Sequence, residues 1–219
     1  TWGASGLAAV WAEENTRDSI FDAFRRKETY ATSGSRIKLR FFGGYDLDAT
    51  MLEKEDLIKE AYRKGVPMGQ DLAPSEGKAP SFLIWAMRDK NAAPLQRVQI
   101  IKGWVEQTTG RPFEEVIDVA CSDGLTPDPL TNRCPDNGAL VDISDCSISS
   151  DRGTNEIKTV WTDESFDSAV KSFYYVRVLE NPSCRWSTWD AVKNGTKPRQ
   201  DLQLTIQERA WSSPIWYSY

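Results

Sequence analysis

The 219-residue sequence predicts an α+β fold that is mostly β, built on an antiparallel sheet or sandwich. Three observations predict it. Between residues 81 and 217, six short runs rich in β-branched and aromatic residues follow one another, most across brief turns. Only two stretches, 15–28 and 51–65, carry clear helical periodicity. Nine tryptophans, in a chain 40% hydrophobic and 27% charged, suit β-rich cores or ligand platforms.

"GLAAVWAEE" (6–14) reads as a strand or as a loop leading into a helix. "NTRDSIFDAFRRKE" (15–28) is that helix: Asn15 caps it, Asp18 suits its first turn, and Ile20, Phe21 and Phe24 share one face. "TYATSG" turns, and "RIKLRFF" then alternates as a strand with Ile37, Leu39 and Phe41 on one side. "MLEKEDLIKEAYRKG" (51–65) is a second amphipathic helix, stopped by Gly65 with Pro67 beyond. After a Pro/Gly-rich loop come the strand runs 81–89, 95–106, 114–122, 157–163, 172–180 and 208–217. An acidic, turn-rich stretch (122–153) interrupts them.

The composition excludes several functions. The formal net charge is −5 with no basic block, a poor match to nucleic acid or anionic membranes. No apolar run approaches the roughly 20 residues of a membrane helix. Histidine is absent, so this chain alone holds no Ser-His-Asp or Cys-His machinery and no His-containing metal site. Cys121, Cys134, Cys146 and Cys184 contain no C-x-x-C pair and read as two disulfides formed in an oxidising compartment; sequence leaves three pairings open.

The candidate chemistry is sparse, and each candidate has a plainer explanation. Adjacent Glu13 and Glu14 make a weak acid/base pair and suit a solvated helix lead-in. Arg17, misplaced against the helix dipole, hints at an anionic partner or is ordinary surface. Thr29, Thr32, Ser33 and Ser35 around Gly34 suit either an anion nest or a strand-linking turn. Asp89, Asp118, Asp163 and Asp190 show no spacing that demands a shared site. Asp123, Asp128, Asp136, Asn137 and Asp142 lack the EF-hand spacing and more simply hold turns. Trp85, Trp104, Trp161, Trp186, Trp189, Trp211 and Trp216 form a sugar platform or, more commonly for strand-embedded tryptophans, core. Asn194 begins a glycosylation sequon.

One resemblance goes further. "GASGLAAVWAEENTRDSIFDAFRRKETYATSGSRIKLRFFGGYDL", "APSFLIWAMRDKNAAPLQRVQIIKGW", "FYYVRVLENPSCRWSTWDAV" and "QERAWSSPIWY" resemble segments of domain-of-unknown-function family 3604, from about Gly3 to Tyr217. Members resemble the PHP superfamily of metal-dependent phosphoesterases, α/β barrels holding divalent metals such as Zn, Mn or Fe with His, Asp and Glu. The resemblance implies that residues 1–42 are the C-terminal end of a PHP-like barrel, its last helix and strand. Residues 43–80 are then a helix and linker, and 81–219 an antiparallel β-sandwich-like accessory domain with a disulfide-containing loop at 121–153. The family's His-rich metal motifs have no counterpart here, so no residue is assigned as a metal ligand. The chain is then the C-terminal portion of a longer hydrolase, its partners the N-terminal barrel portion and a small-molecule substrate. Glu14, Asn15, Arg17, Tyr30, Thr32 and Ser33 are implied to orient substrate or hold the metal-site loops. The disulfides imply a bacterial periplasmic or secreted location. The alternative is a disulfide-stabilised β-sandwich that binds a glycan or protein partner.

Overall fold

The computed structural model describes residues 6–218; Gly3, Ala4 and Ser5, which open the resembling phrase, lie outside them. The elements in chain order are β1 (Leu7–Val10), α1 (Arg17–Arg25), β2 (Thr29–Thr32), β3 (Lys38–Gly44), a 3₁₀ turn (Ala49–Glu53), α2 (Leu57–Lys64), β4 (Gly65–Pro67) and β5 (Asp71–Leu72). They continue as β6 (Ser81–Met87), β7 (Leu95–Val105), β8 (Pro112–Cys121), β9 (Glu156–Thr162), β10 (Ser172–Glu180) and β11 (Ser183–Cys184). The chain ends with α3 (Trp186–Lys193), β12 (Thr205–Ile206), β13 (Arg209–Ser212) and β14 (Ile215–Tyr217).

Two sheets face each other. The larger runs β8-β7-β10; β10 then pairs with β13, which leads to β2 and β1, and with β14, which pairs in parallel with β5. The smaller is β4-β3-β6-β9, antiparallel throughout. Alternation supplies the core between them: Leu39 and Phe41 of β3 and Phe82, Ile84 and Ala86 of β6 meet Val98, Ile100, Tyr174, Val176, Val178 and Ile215 of the larger sheet. Each large apolar side chain so buried contributes roughly 1.5–3 kcal/mol. The opposite face of the smaller sheet is not wasted. Phe42 and Leu83 point outward and are covered by Leu47, by Met51 of the 3₁₀ turn and by Leu57 and Ala61 of α2.

The mostly β, antiparallel expectation therefore holds, and no closed barrel forms among the described residues. β1 and β2 pair antiparallel with each other, and β2 continues antiparallel onto β13. The divisions expected at residues 42 and 80 do not separate the sheets, because β1, β2 and β5 share the larger sheet with β7, β10 and β14.

Several local expectations are corrected. Thr16, not Asn15, caps α1: its backbone is extended and its hydroxyl accepts from the Ser19 amide. "TYAT" is strand β2, since its backbone groups are taken by β1 and β13; the turn starts at Ser33. The helix expected over 51–65 is split at Lys54, whose backbone is extended, and Gly65 ends it as the first residue of β4. The tryptophans are not core. Of the eight described, none is fully buried, and Trp186, Trp189 and Trp216 are exposed. Trp11, Trp85 and Trp161 only edge the two cores, because inward positions are filled by smaller aliphatic and phenyl groups.

Two disulfides, Cys121–Cys134 and Cys146–Cys184, settle the pairing. The first closes the end of β8 onto the acidic loop, and the second ties that loop to β11. The loop's acids hold turns as expected: Asp128 accepts from the Leu130 and Thr131 amides, Asp136 from Gly138 and Asp142 from Ser144. Asp123 accepts from Asn137 Nδ2 at 3.0 Å and the Gly153 amide at 2.9 Å.

Candidate functional site

A buried carboxylate with converging cations opens onto a cavity where β1, α1, β2, β3 and α2 converge. Trp11 follows β1 and continues its pairing, its amide donating to the Glu28 carbonyl at 3.1 Å. At the end of α1 the chain reverses through Lys27, which adopts the left-handed φ of 59°. The Glu28 amide then closes onto the Ala23 carbonyl at 3.1 Å. That reversal turns the Glu28 side chain inward, where it is 4% exposed.

Three groups meet the buried carboxylate. Arg40 Nη1 of β3 lies 3.4 Å away, Arg26 Nη2 lies 3.7 Å away, and the Tyr62 hydroxyl of α2 donates to it in a short hydrogen bond. Arg40 also donates to the Tyr62 oxygen at 2.9 Å, and its guanidinium sits 3.4 Å from the centroid of the Trp11 ring. Trp11 is held edge-on by its own indole N–H, which donates to the Leu39 carbonyl at 2.8 Å. Burial of the hydroxyl, with the bond to Glu28, pushes Tyr62 up to about 12, so it remains a proton donor across the neutral range. A cavity of about 440 Å³ is bounded by these groups together with Ala12 and Glu13.

This arrangement can bind and orient. Two guanidinium groups, one of them stacked on an indole, suit a planar or anionic group. The Glu28 carboxylate is fully engaged by Arg40, Arg26 and Tyr62 and is held as a structural anchor. Among the described residues no group of three or more Cys, Asp or Glu side chains is arranged to hold a metal ion. The divalent metals implied by the resemblance therefore find no fitting donor set here.

The six residues singled out by resemblance do not gather in this cavity. Glu14, Asn15 and Arg17 are exposed around the start of α1, where Glu14 accepts from the Thr16 hydroxyl at 3.2 Å. Tyr30 is buried in the sandwich core, which pushes its hydroxyl up. Thr32 is buried and accepts from the Gly34 amide at 3.3 Å. The Ser33 hydroxyl donates to Glu208 in a short bond and accepts from the Arg209 amide at 2.9 Å. These contacts knit β2 to β13.

Sequence reasoning did not find Trp11, Arg26, Glu28, Arg40 or Tyr62. Arg40 carried a signal: it occupies the outward position between the inward Leu39 and Phe41. Glu28 carried none, since a glutamate after a basic run reads as surface.

No curated protein and no solved structure matches this chain. One family model, described as a protein of unknown function (DUF3604), matches residues 1–219. The chain belongs to the DUF3604 family.

Proposed function

We propose that this chain is the C-terminal, non-catalytic portion of a larger PHP-like metal-dependent hydrolase, and that β1 and α1 form the face on which the metal-holding portion docks. The observation that carries this reading is the apolar surface those two elements leave uncovered. Phe21 and Phe24 are 59% and 52% exposed on α1, and Leu7 is 41% exposed on β1. Ala23 is the only residue of α1 that is buried, so the helix turns its phenyl rings outward rather than into the sandwich. β1 pairs with β2 on one side and with no other described strand. An unpaired strand edge beside exposed aromatic rings is an associating surface.

Trp11 and Glu28 of the cavity flank the same two elements, and Arg40 and Tyr62 join them from β3 and α2. In this reading it positions the small-molecule substrate, while the metals belong to the docked portion. The two disulfides suit a periplasmic or secreted protein, and that location belongs to the same proposal.

The test is made on the purified 219-residue chain. It is expected to take up no stoichiometric Zn, Mn or Fe and to leave bis(p-nitrophenyl) phosphate intact. Metal-dependent turnover by this chain alone contradicts the reading.

A further inference from the structure

The outer face of the larger sheet carries a row of side chains used by neither the sandwich core nor the α1 surface. Register sets Glu114 of β8 beside Gly103 of β7, Gly103 beside Phe173 of β10, Phe173 beside Trp216 of β14, and Trp216 beside Asp71 of β5. Directly paired residues share a face. Leu72 and Tyr217, next along their strands, are buried, so Asp71 and Trp216 point away from the core.

Gly103 makes the row possible. A Cβ there would lie 2.2 Å from the Phe173 ring, so the ring rests directly on the β7 backbone. Trp216 lies 5.1 Å from Phe173 and is 44% exposed. Tyr175, one step along β10 on the same face, lies 6.4 Å from Phe173 with its plane only 12° away from parallel. A groove of about 620 Å³ runs from Trp216 and Phe173 past Glu114 towards Trp104 and Phe113, with Lys171 also on its wall; Tyr175 and Asp71 lie beyond it on the same face.

We propose that this row is a carbohydrate site for an uncharged oligosaccharide. A pyranose presents an apolar C–H face and a rim of hydroxyl groups. The row presents aromatic rings at its centre and a carboxylate at each end, Glu114 and Asp71, able to accept from hydroxyls. The two carboxylates outnumber Lys171 along the row and, with the net charge of −5, disfavour phosphate, sulfate and uronate. An extended peptide would add along a strand edge through free backbone groups. Here the row crosses five strands, and all four junctions between them are backbone pairings. The site stands whether or not the chain belongs to a hydrolase.

The experiment titrates the intact chain with cellohexaose, xylohexaose, mannohexaose and chitohexaose, with polygalacturonate as the charged control, following tryptophan fluorescence and calorimetry. At least one neutral hexaose is expected to bind saturably. Trp216→Ala is expected to weaken it about tenfold or more with an unchanged thermal midpoint. Asp71→Asn and Glu114→Gln, at exposed positions, are each expected to weaken it as well; they carry the test if Trp216→Ala alters folding. Four results overturn the proposal: no saturable binding of any hexaose up to about 10 mM; binding indifferent to all three substitutions; preference for polygalacturonate; or self-association abolished by Trp216→Ala, which would assign the row to a protein partner.

Discussion

Lys102 and Asp163 form an ion pair of 2.6 Å sealed inside the sandwich, with side chains 9% and 1% exposed. Lys102 occupies an inward position of β7, following Val98 and Ile100, and Asp163 follows the end of β9. The Tyr174 hydroxyl donates to the same carboxylate at 2.7 Å, and the Ser165 amide and hydroxyl donate at 3.1 and 2.9 Å. Burial and the Asp163 charge push the Tyr174 hydroxyl far up, so it stays a donor. The cluster pins the 163–170 segment across the end of the larger sheet.

Breaking that pair from one side strands a buried ammonium group. Asp163→Asn is expected to cost about 3–5 kcal/mol in urea or guanidinium unfolding. Lys102→Met combined with Asp163→Asn is expected to cost less than Asp163→Asn alone, because the amide still accepts from Tyr174 and no unpaired charge remains. A double variant that is the weaker of the two would refute this account of the cluster.

Glu180 predicts a pH dependence. It is 1% exposed, its Oε1 has no hydrogen-bond partner, and burial, reinforced by the Glu208 and Asp89 carboxylates, pushes it up to about 7. Because the folded state binds this proton more tightly than the unfolded chain does, the contribution to stability is fully present below the ordinary carboxylate range. It is lost as pH rises through about 7. The expected loss between pH 5 and 9 is about 2–3 kcal/mol, and Glu180→Gln is expected to flatten it. Unfolding midpoints at pH 5, 7 and 9 read the slope directly; an identical slope in the variant would assign the dependence to other groups.

The disulfides close loops of 13 and 38 residues. Loop-closure entropy assigns them about 3 and about 4 kcal/mol respectively. Replacing both Cys146 and Cys184 by Ser is therefore expected to destabilise at least as much as replacing both Cys121 and Cys134. Thiol titration of the denatured protein should find no free thiol before reduction and four after it.

Much of the scaffold was legible because its signal is local. The runs at 81–89, 95–106, 157–163 and 172–180 became β6, β7, β9 and β10 almost residue for residue, since alternation is a property of each strand alone. Ile37, Leu39 and Phe41, read as one side of a strand, do share a side, and it is the core side. What escaped depends on distant partners. Nothing near Thr29 announces that β2 pairs with residues 210–212. The Ile20, Phe21 and Phe24 stripe on α1 has the pattern of a core face, yet the sandwich is filled without it, and Phe21 and Phe24 stay outside. The site residues are harder still: Glu28 is recognisable only once Arg40 and Tyr62 arrive from β3 and α2. Lys102 did leave a trace, a lysine at the inward position that follows Val98 and Ile100 in the alternation of β7.

The central claim is that β1 and α1 are a docking face for the metal-holding portion of a larger hydrolase. The most direct measurement is binding between the 219-residue chain and the separately purified polypeptide encoded immediately upstream, by calorimetry, for the native sequence and for Phe21→Asp/Phe24→Asp. The account predicts saturable association, weakened about tenfold or more by the paired substitution, while the chain's own unfolding free energy changes by less than about 0.5 kcal/mol. No association, or association indifferent to both substitutions, would contradict it.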